Sequence, residues 1–478
     1  MKTLSFVAFD NDFDTNDRAW VPEVWAAESL AILEENMVIG RLVHSDFSDE
    51  IATFGDVVNT RKPGTFTARR KGVNDDITVQ AATATNVPVT LDQHVHTSFM
   101  IRDGEESLSF QDLVKTYLQP AAKSLAEHID RILLGQVYQF LDNQVAIDPD
   151  VTADDIKDAI LDTRNKMNVN KVPAIGRNLI LSPVTETEAL KLDLFISAEK
   201  VGDQGTALRE ASLGRKLGFN TFMCQNVSSI PTGTYTTPAD GAEGDINQAD
   251  IAAGDTSFTV VTDATNIMQP GMYVTFEDDG GVYRLTTVAA TKLTLDRPLL
   301  TALADNTDVN YYTRGTIDLP GHAGVTEYPI GYDKQINVDS AEGVVPQVGQ
   351  LVGFASDAAT NVVITGEYCI IAVDANGADY FITLDRPLEA ALVDDDMVDF
   401  GPIGQFNFAF DEGAVALVVR PLALPKAGTA LSGVSSYNDL AMRVVITYDG
   451  TAQGHLVTMD LLCGVEVLDV DRGAVLVR

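Results

Sequence analysis

The residues best suited to act on another molecule are Arg61, Lys62, Arg69, Arg70 and Lys71, five cations within eleven residues and no acid among them. As a nucleic-acid patch the run is poor, because Phe66 is the only aromatic available to stack on a base. Two readings stay open: a plain solvated strand, or an arm that seeks complementary acidic surface on another copy of the chain. Head-to-tail pairing of that second kind generates rings or larger shells. Other chemistry is sparse. His94 and His96 would share one face of a strand over 91–100 and could set two metal ligands side by side, or simply line a solvated face. Asp10, Asp12 and Asp14 imitate the start of a calcium loop, but Thr15 stands at the glycine position and Val21 at the glutamate position, so that reading fails. The pairs and triplets Asp278-Asp279 and Asp394-Asp395-Asp396 read as solvated turn acids before they read as a cation site. No GxGxxG, GxxxxGK[ST], HExxH or GxSxG pattern occurs, so the sequence names no enzyme, catalytic residue, metal or cofactor.

The frame that must carry the cationic run is large. At roughly 150 residues per domain, 478 residues allow two to four domains with real cores. Hydrophobic content of 45% and charged content of 21% are those of a globular chain. The net charge of −36 argues against a general nucleic-acid binder. Cys224, Cys369 and Cys463 lie far apart, which fits a reducing compartment and no disulfide scaffold. No apolar run approaches the roughly 20 residues that span a bilayer, and the acidic start shows no signal peptide, so no membrane partner is expected.

Up to about residue 230 the pattern is mixed. Val24, Trp25, Leu30, Leu33 and Met37 predict a helix that docks one face, and Leu113, Tyr117, Leu125, Ile129, Leu133, Val137 and Leu141 predict a long one over 109–143. Pro120 either kinks that helix or starts a second. A further helix is expected from Thr152 through Ile156, Ile160 and Met167. Between Thr53 and Ile101 the alternation and turns predict a long two-stranded excursion, whose first limb carries the cations. From Pro231 to Pro402 helical signals vanish. Leu293-Thr-Leu-Asp-Arg-Pro-Leu299 recurs as Ile382-Thr-Leu-Asp-Arg-Pro-Leu388, at a spacing of 89 residues. Upstream, Gly271, Val274 and Phe276 match Gly349, Val352 and Phe354 at a spacing of 78, so the second copy holds 11 extra residues. Two tandem β units follow, each suited to a small barrel or sandwich. That stretch carries 27 acids against 6 bases, a net of −21, leaving −15 on the other 306 residues. After Pro402, Met442–Tyr448 and Leu456–Val467 read as core strands.

Several phrases, taken in order, resemble the major capsid (coat) proteins of tailed phages, in the branch typified by the coat protein of the Salmonella podophage. They are Trp20-Val-Pro-Glu-Val-Trp25, Gly55-Asp-Val-Val58, Arg177-Asn-Leu-Ile-Leu-Ser-Pro183, Ala207-Leu-Arg-Glu-Ala211, Leu213-Gly-Arg-Lys-Leu-Gly-Phe219, Cys224-Gln-Asn-Val227, Phe406-Asn-Phe-Ala-Phe410, Leu417-Val-Val-Arg-Pro-Leu422 and Gly464-Val-Glu-Val-Leu468. The resemblance covers roughly 18–230 and 403–478. It implies an α+β chain of the Hong Kong-type tailed-phage capsid fold, with an inserted all-β region that here holds two tandem small barrels where the branch has one.

On this resemblance the expected divisions are an N-terminal arm (1–52), an extended loop (53–101), and a peripheral domain with spine helix and the first part of the axial domain (102–230). Inserted β units at 231–332 and 333–402 follow, then the rest of the capsid core at 403–478. The implied function is self-assembly, without catalysis, into the icosahedral shell around a double-stranded DNA genome. The implied partners are further copies in hexameric and pentameric capsomers, a scaffolding protein, a portal at one vertex, and packaged DNA on the inner face. The implied location is the virion, after assembly in the host cytoplasm. The cationic run would then make intersubunit ion pairs. A surface-adhesion or host-binding virion protein, with the tandem β units as its working end, is the alternative.

Overall fold

The structure, a computed structural model, describes residues 22–47, 54–62, 66–71, 76–77, 79–80, 85–102, 114–147, 153–192, 214–227, 235–236, 246–248, 251–261, 264–266, 268–276, 279–305, 307–312, 314–319, 327–332, 334–339, 345–356, 362–377, 379–401, 406–425, 430–437 and 440–477. The expectations at Asp10–Asp14, Trp20, 109–113, Thr152, 207–211, Leu213 and Asp278 lie outside the described residues.

Gly454–Val467 is the backbone of the first body sheet. It pairs antiparallel with Leu440–Asp449 and Val415–Arg420, and with Gln93–Arg102. Leu431–Tyr437 forms one edge, and His44–Phe47 adds in parallel to Val415–Arg420. Helix Pro22–Asn36 lies on Leu431–Tyr437 and Leu440–Asp449 with Trp25, Leu30 and Leu33 buried, as its spacing predicts. Gly433 permits this approach, since a Cβ there would stand 2.6 Å from the Glu23 backbone nitrogen.

The long central helix runs without a break through a π turn, Val114–Leu118, an α-helical segment, Gln119–Gly135, and a 3-10 segment, Gln136–Asn143. Pro120 sits in the first turn of the α segment, where a missing N–H costs little, and Leu118 before it keeps helical angles. Pro120 thus stands where a new α segment opens directly after the π turn, as the second of its two readings expects. Leu125, Ile129, Leu133, Val137 and Leu141 are all buried. The second body sheet runs in the order Gln144–Ala146, Gly473–Val477, Phe406–Phe410, Asn178–Leu181, Phe219–Met223, Arg215–Lys216. Helices Ala153–Val169 and Pro183–Lys191 pack on it, the latter capped by Ser182, whose Oγ accepts from Thr185 N at 3.2 Å.

The described strands between residues 235 and 400 that make up the two β units form two main sheets in sequence. Residues 235–312 make a six-stranded sheet, and residues 314–400 a closed six-stranded barrel. Local geometry repeats between them. Asp296 N donates to Arg284 O at 2.9 Å while Asp296 Oδ1 accepts from Arg284 N at 2.9 Å; Asp385 and Cys369 do the same at 2.9 and 2.8 Å. Phe276 and Tyr283 tilt at 56° with centroids 5.5 Å apart, and so do Phe354 and Tyr368. The 11 extra residues divide into seven between Phe354 and Tyr368 and four between Tyr368 and Asp385.

Three observations bear on the expected divisions. Gln93–Arg102 belongs to the first body sheet instead of an excursion over 53–101, because its alternate residues face the core through Val95 and Ile101. Residues 22–47 are packed body instead of an arm over 1–52, for the same reason of buried apolar side chains. The β units divide near residue 313, not between 332 and 333: Arg314–Ile317 pairs with Met397–Phe400, the last strand of the second unit. That short strand lies outside the repeated phrases, so the sequence pattern missed it. In the first unit the described strands form one six-stranded sheet, and Ile246 bridges Val260 while its N–H donates to Thr307 O.

Candidate functional site

Val57–Lys62 and Thr85–Thr90 pair residue for residue, Val57 opposite Thr90 and Lys62 opposite Thr85, in a two-stranded sheet of their own. A hairpin of this kind is marginal in water unless its root is held. Here the root is held by apolar burial, Val89 and Leu91 packing on Ala416, Val418 and Leu462. Gly464 admits the strand, because any Cβ there would collide with Thr90 O. Backbone bonds from Gly55 N to Leu91 O and from Leu91 N to Asp56 O, both 2.8 Å, close the base. Farther out, Thr67 N donates to Gln80 Oε1 at 3.0 Å, so the two limbs still touch beyond the strands.

The five cations split into two roles. Arg61, Arg69, Arg70 and Lys71 are exposed. Lys62 has a partner in its own chain: its Nζ lies 2.8 Å from Asp469 Oδ1, and it helps fasten the hairpin root. Asp469 also stands 3.6 Å from Arg472. No sequence pattern signals this partner, which lies more than 400 positions away. What the sequence also missed is the apolar content of the outer limbs: Phe66, Ile77 and Val79 are 66, 75 and 86% exposed. Three large apolar side chains among unpaired cations on one projection are the usual mark of a contact surface.

A second set of buried polar side chains fastens the inserted units to the body. Asp385 is fully buried, and its Oδ2 accepts from Gln136 Nε2 of the long helix at 3.2 Å and lies 3.3 Å from Arg386 Nη1. Burial raises its carboxyl above the ordinary range, with Arg386 and the Cys369 N–H opposing. Gly135 lets the helix come this close, since a Cβ would stand 2.6 Å from Asp385 Cβ. Tyr138 OH donates to Gly349 O at 2.6 Å, and Gln144 bonds both Val282 N at 3.0 Å and Val282 O at 3.3 Å. Between the two units, Arg297 meets Glu367 at 3.2 Å and Arg284 meets the buried Asp399 at 3.7 Å. The repeated Asp-Arg phrase therefore serves the seams of the insert.

His94 and His96 do lie on one strand, with ring centroids 6.2 Å apart. Their neighbours suit an ion pair more than a metal: His94 Nε2 stands 3.3 Å from Asp460, a carboxylate already gripped by Arg443 through Nε at 2.8 Å. Among the described residues no three His, Cys, Asp or Glu side chains converge on one point. Asp396 caps its own turn, accepting from Val393 N at 2.7 Å, while Asp394 accepts from Leu319 N of a distant segment at 3.0 Å.

No family model and no curated protein matches the chain. Solved structures do. One from Mycobacterium phage Che8 is 11% identical, with 100% of this chain and 96% of that chain covered and a TM-score of 0.36. The capsid structure of cyanophage P-SCSP1u is 11% identical over 92% and 88%, at 0.42. The asymmetric unit of the bacteriophage PhiM1 mature capsid is 8% identical over 91% and 87%, at 0.37. Likeness at this level carries no assignment by itself.

Proposed function

We propose that this chain is the major capsid (coat) protein of a tailed phage, in the Hong Kong-type fold. Copies of it assemble into the icosahedral shell that encloses a double-stranded DNA genome. The observation that supports this best is the hairpin: rooted by apolar packing at Val89 and Leu91, it carries Arg69, Arg70 and Lys71 beside exposed Phe66, Ile77 and Val79. Such a limb gains nothing for an isolated subunit and is suited to lie on a neighbour. The order of the capsid-like phrases along the sequence supports the same reading, as does the body of long helix and two sheets interrupted by a β insert.

In this reading, hexameric and pentameric capsomers form in the host cytoplasm with a scaffolding protein and a portal, and the finished virion holds DNA on the inner face. Charge fits that arrangement. The insert holds −21 of the total and belongs outside, so the −15 of the body is all that faces the polyanion. Exposed ion pairs are worth under about 1 kcal/mol each, yet each contact recurs in every subunit of a closed shell.

The test is negative-stain microscopy of the protein expressed with the scaffolding protein encoded beside it. Shells are expected. In Arg69→Glu/Arg70→Glu, folded subunits by circular dichroism that no longer close into shells are expected. A wild-type chain that purifies only as a small discrete oligomer refutes the reading and favours the host-binding alternative.

A further inference from the structure

The second β unit carries a dipeptide with chemistry of its own. Asn376-Gly377 is the single place in the sequence where an asparagine precedes a glycine. The structure puts it where the chain turns from strand Val363–Asn376 toward strand Asp379–Leu384, with Asn376 opposite Asp379. Gly377 is exposed at φ +70°, and a Cβ built on it would meet nothing within 4 Å. A glycine there leaves its nitrogen unshielded by any side chain and conformationally free, so the nitrogen can swing toward the Cγ of the residue before it.

The amide of Asn376 also has a structural task. Its Nδ2 donates to Asn337 Oδ1 at 3.2 Å, and Asn337 Nδ2 donates to Asp318 Oδ2 at 3.0 Å. Asn337 is 1% exposed, so solvent cannot mend a bond lost from this relay. Acids already crowd its far end: burial, and then Asp379, Asp394 and Asp339, raise the Asp318 carboxyl above the ordinary range. A carboxylate at position 376 would face Asn337 Oδ1, acceptor to acceptor. Turning the Asn337 amide over only moves the same fault to Asp318.

We infer that Asn376 is a modification site, where attack by Gly377 N turns the neutral amide into an acid and breaks the relay that seats this turn on the barrel. Gly377 N gives its proton to hydroxide and bonds to Asn376 Cγ. The Cγ–Nδ2 bond breaks, and Nδ2 leaves as ammonia with a proton from water. Water then opens the cyclic imide. Opening at Cγ gives aspartate; opening at the main-chain carbonyl carbon gives isoaspartate, in which the chain runs through Cγ. One water is consumed and one ammonia released, with no change of oxidation state. The bond from Nδ2 to Asn337 restrains the leaving group, which slows the folded chain by a few-fold to about tenfold against the unfolded one. The site stands whether or not the capsid reading does.

Peptide mapping by mass spectrometry tests the site in the full chain, held folded at mildly alkaline pH and sampled over time. The mass gain of an amide-to-acid change is expected at Asn376, in aspartate and isoaspartate forms, and faster as hydroxide rises. The chain unfolded in guanidinium gives the reference rate. Asn376→Gln keeps the donor but cannot close a five-membered imide, so it should gain nothing at this position. Protection by folding of about a hundredfold or more, or a gain at other asparagines and not at Asn376, overturns the site. The relay is read by melting. Asn376→Asp should lower the melting temperature by about 3 °C or more, and adding Asp318→Asn should recover most of that, because the relay can then run with the opposite polarity. Asp318→Asn in the wild-type chain controls for relieved repulsion. An equal gain from it in both backgrounds, or no loss in Asn376→Asp, overturns the relay.

Discussion

The repeated Asp-Arg phrase gives one prediction with an internal control. Asp385 and Asp296 make the same pair of bonds to the neighbouring strand, but Asp385 is fully buried whereas the Asp296 side chain is 21% exposed. Asp385→Ala leaves the Cys369 N–H and the Gln136 amide without an acceptor in a dry site. Hydrogen bonds to a charged acceptor contribute about 1.5–3 kcal/mol each, so the gross loss is about 3–6 kcal/mol. Relief from burying a carboxylate offsets part of that, which leaves a net loss of about 3 kcal/mol. In Asp296→Ala, water can replace the lost acceptor at Arg284 N, and Arg297 keeps Glu367, so about 1–2 kcal/mol is expected.

The assay is urea unfolding of the subunit followed by two probes, because a chain with several cores need not unfold in one step. Both tryptophans, Trp20 and Trp25, lie outside the insert in the sequence, so their fluorescence reports the body while circular dichroism reports the whole. Because Asp385 is bonded to the long helix, Asp385→Ala should shift both transitions. Asp296→Ala should shift only circular dichroism. Equal effects of the two substitutions, or a loss below about 1 kcal/mol for Asp385→Ala, would refute the claim that burial at this seam decides the energy.

Other outcomes follow from single contacts. Burial pushes the Asp130 carboxyl up to about 6, against the pull of N–H bonds from Val38 and Ile39. The folded chain therefore holds that proton more tightly than the unfolded one. Its stabilising effect is complete below the ordinary pKa of 3.8 and is lost as pH rises through about 6. The full gap is worth about 3 kcal/mol, so the free energies of unfolding at pH 4 and 7.5 should differ by about 2 kcal/mol more in wild type than in Asp130→Asn. An equal slope in both chains would contradict it. Gly464→Ala should push Thr90 off the first sheet, costing about 1–3 kcal/mol and reducing shell yield together, read by melting and by microscopy. Unchanged melting would show that the hairpin root adjusts freely.

Much of the fold was legible because periodicity survives burial on one face. The stripe from Leu125 to Leu141 gave a helix, and the strands near 442–448 and 456–467 stood where their apolar runs put them. Gln93–Arg102 was misplaced because a strand's alternation is the same in a projecting hairpin and in a core sheet; only its partner, Gly454–Val467, decides between them. The cations were visible too, but the ion pair of Lys62 with Asp469 was not, since the two are near only in space.

By itself the sequence determined the chain's divisions: where helices give way to β units, that the β unit is duplicated, and that the acid excess is concentrated there. Those are properties of local composition and repetition, which act over a few residues. The tertiary structure decided that the second unit closes into a barrel and that the duplicated aspartates fasten different seams. Each depends on which distant residues exclude water from one another, and no spacing along the chain encodes that.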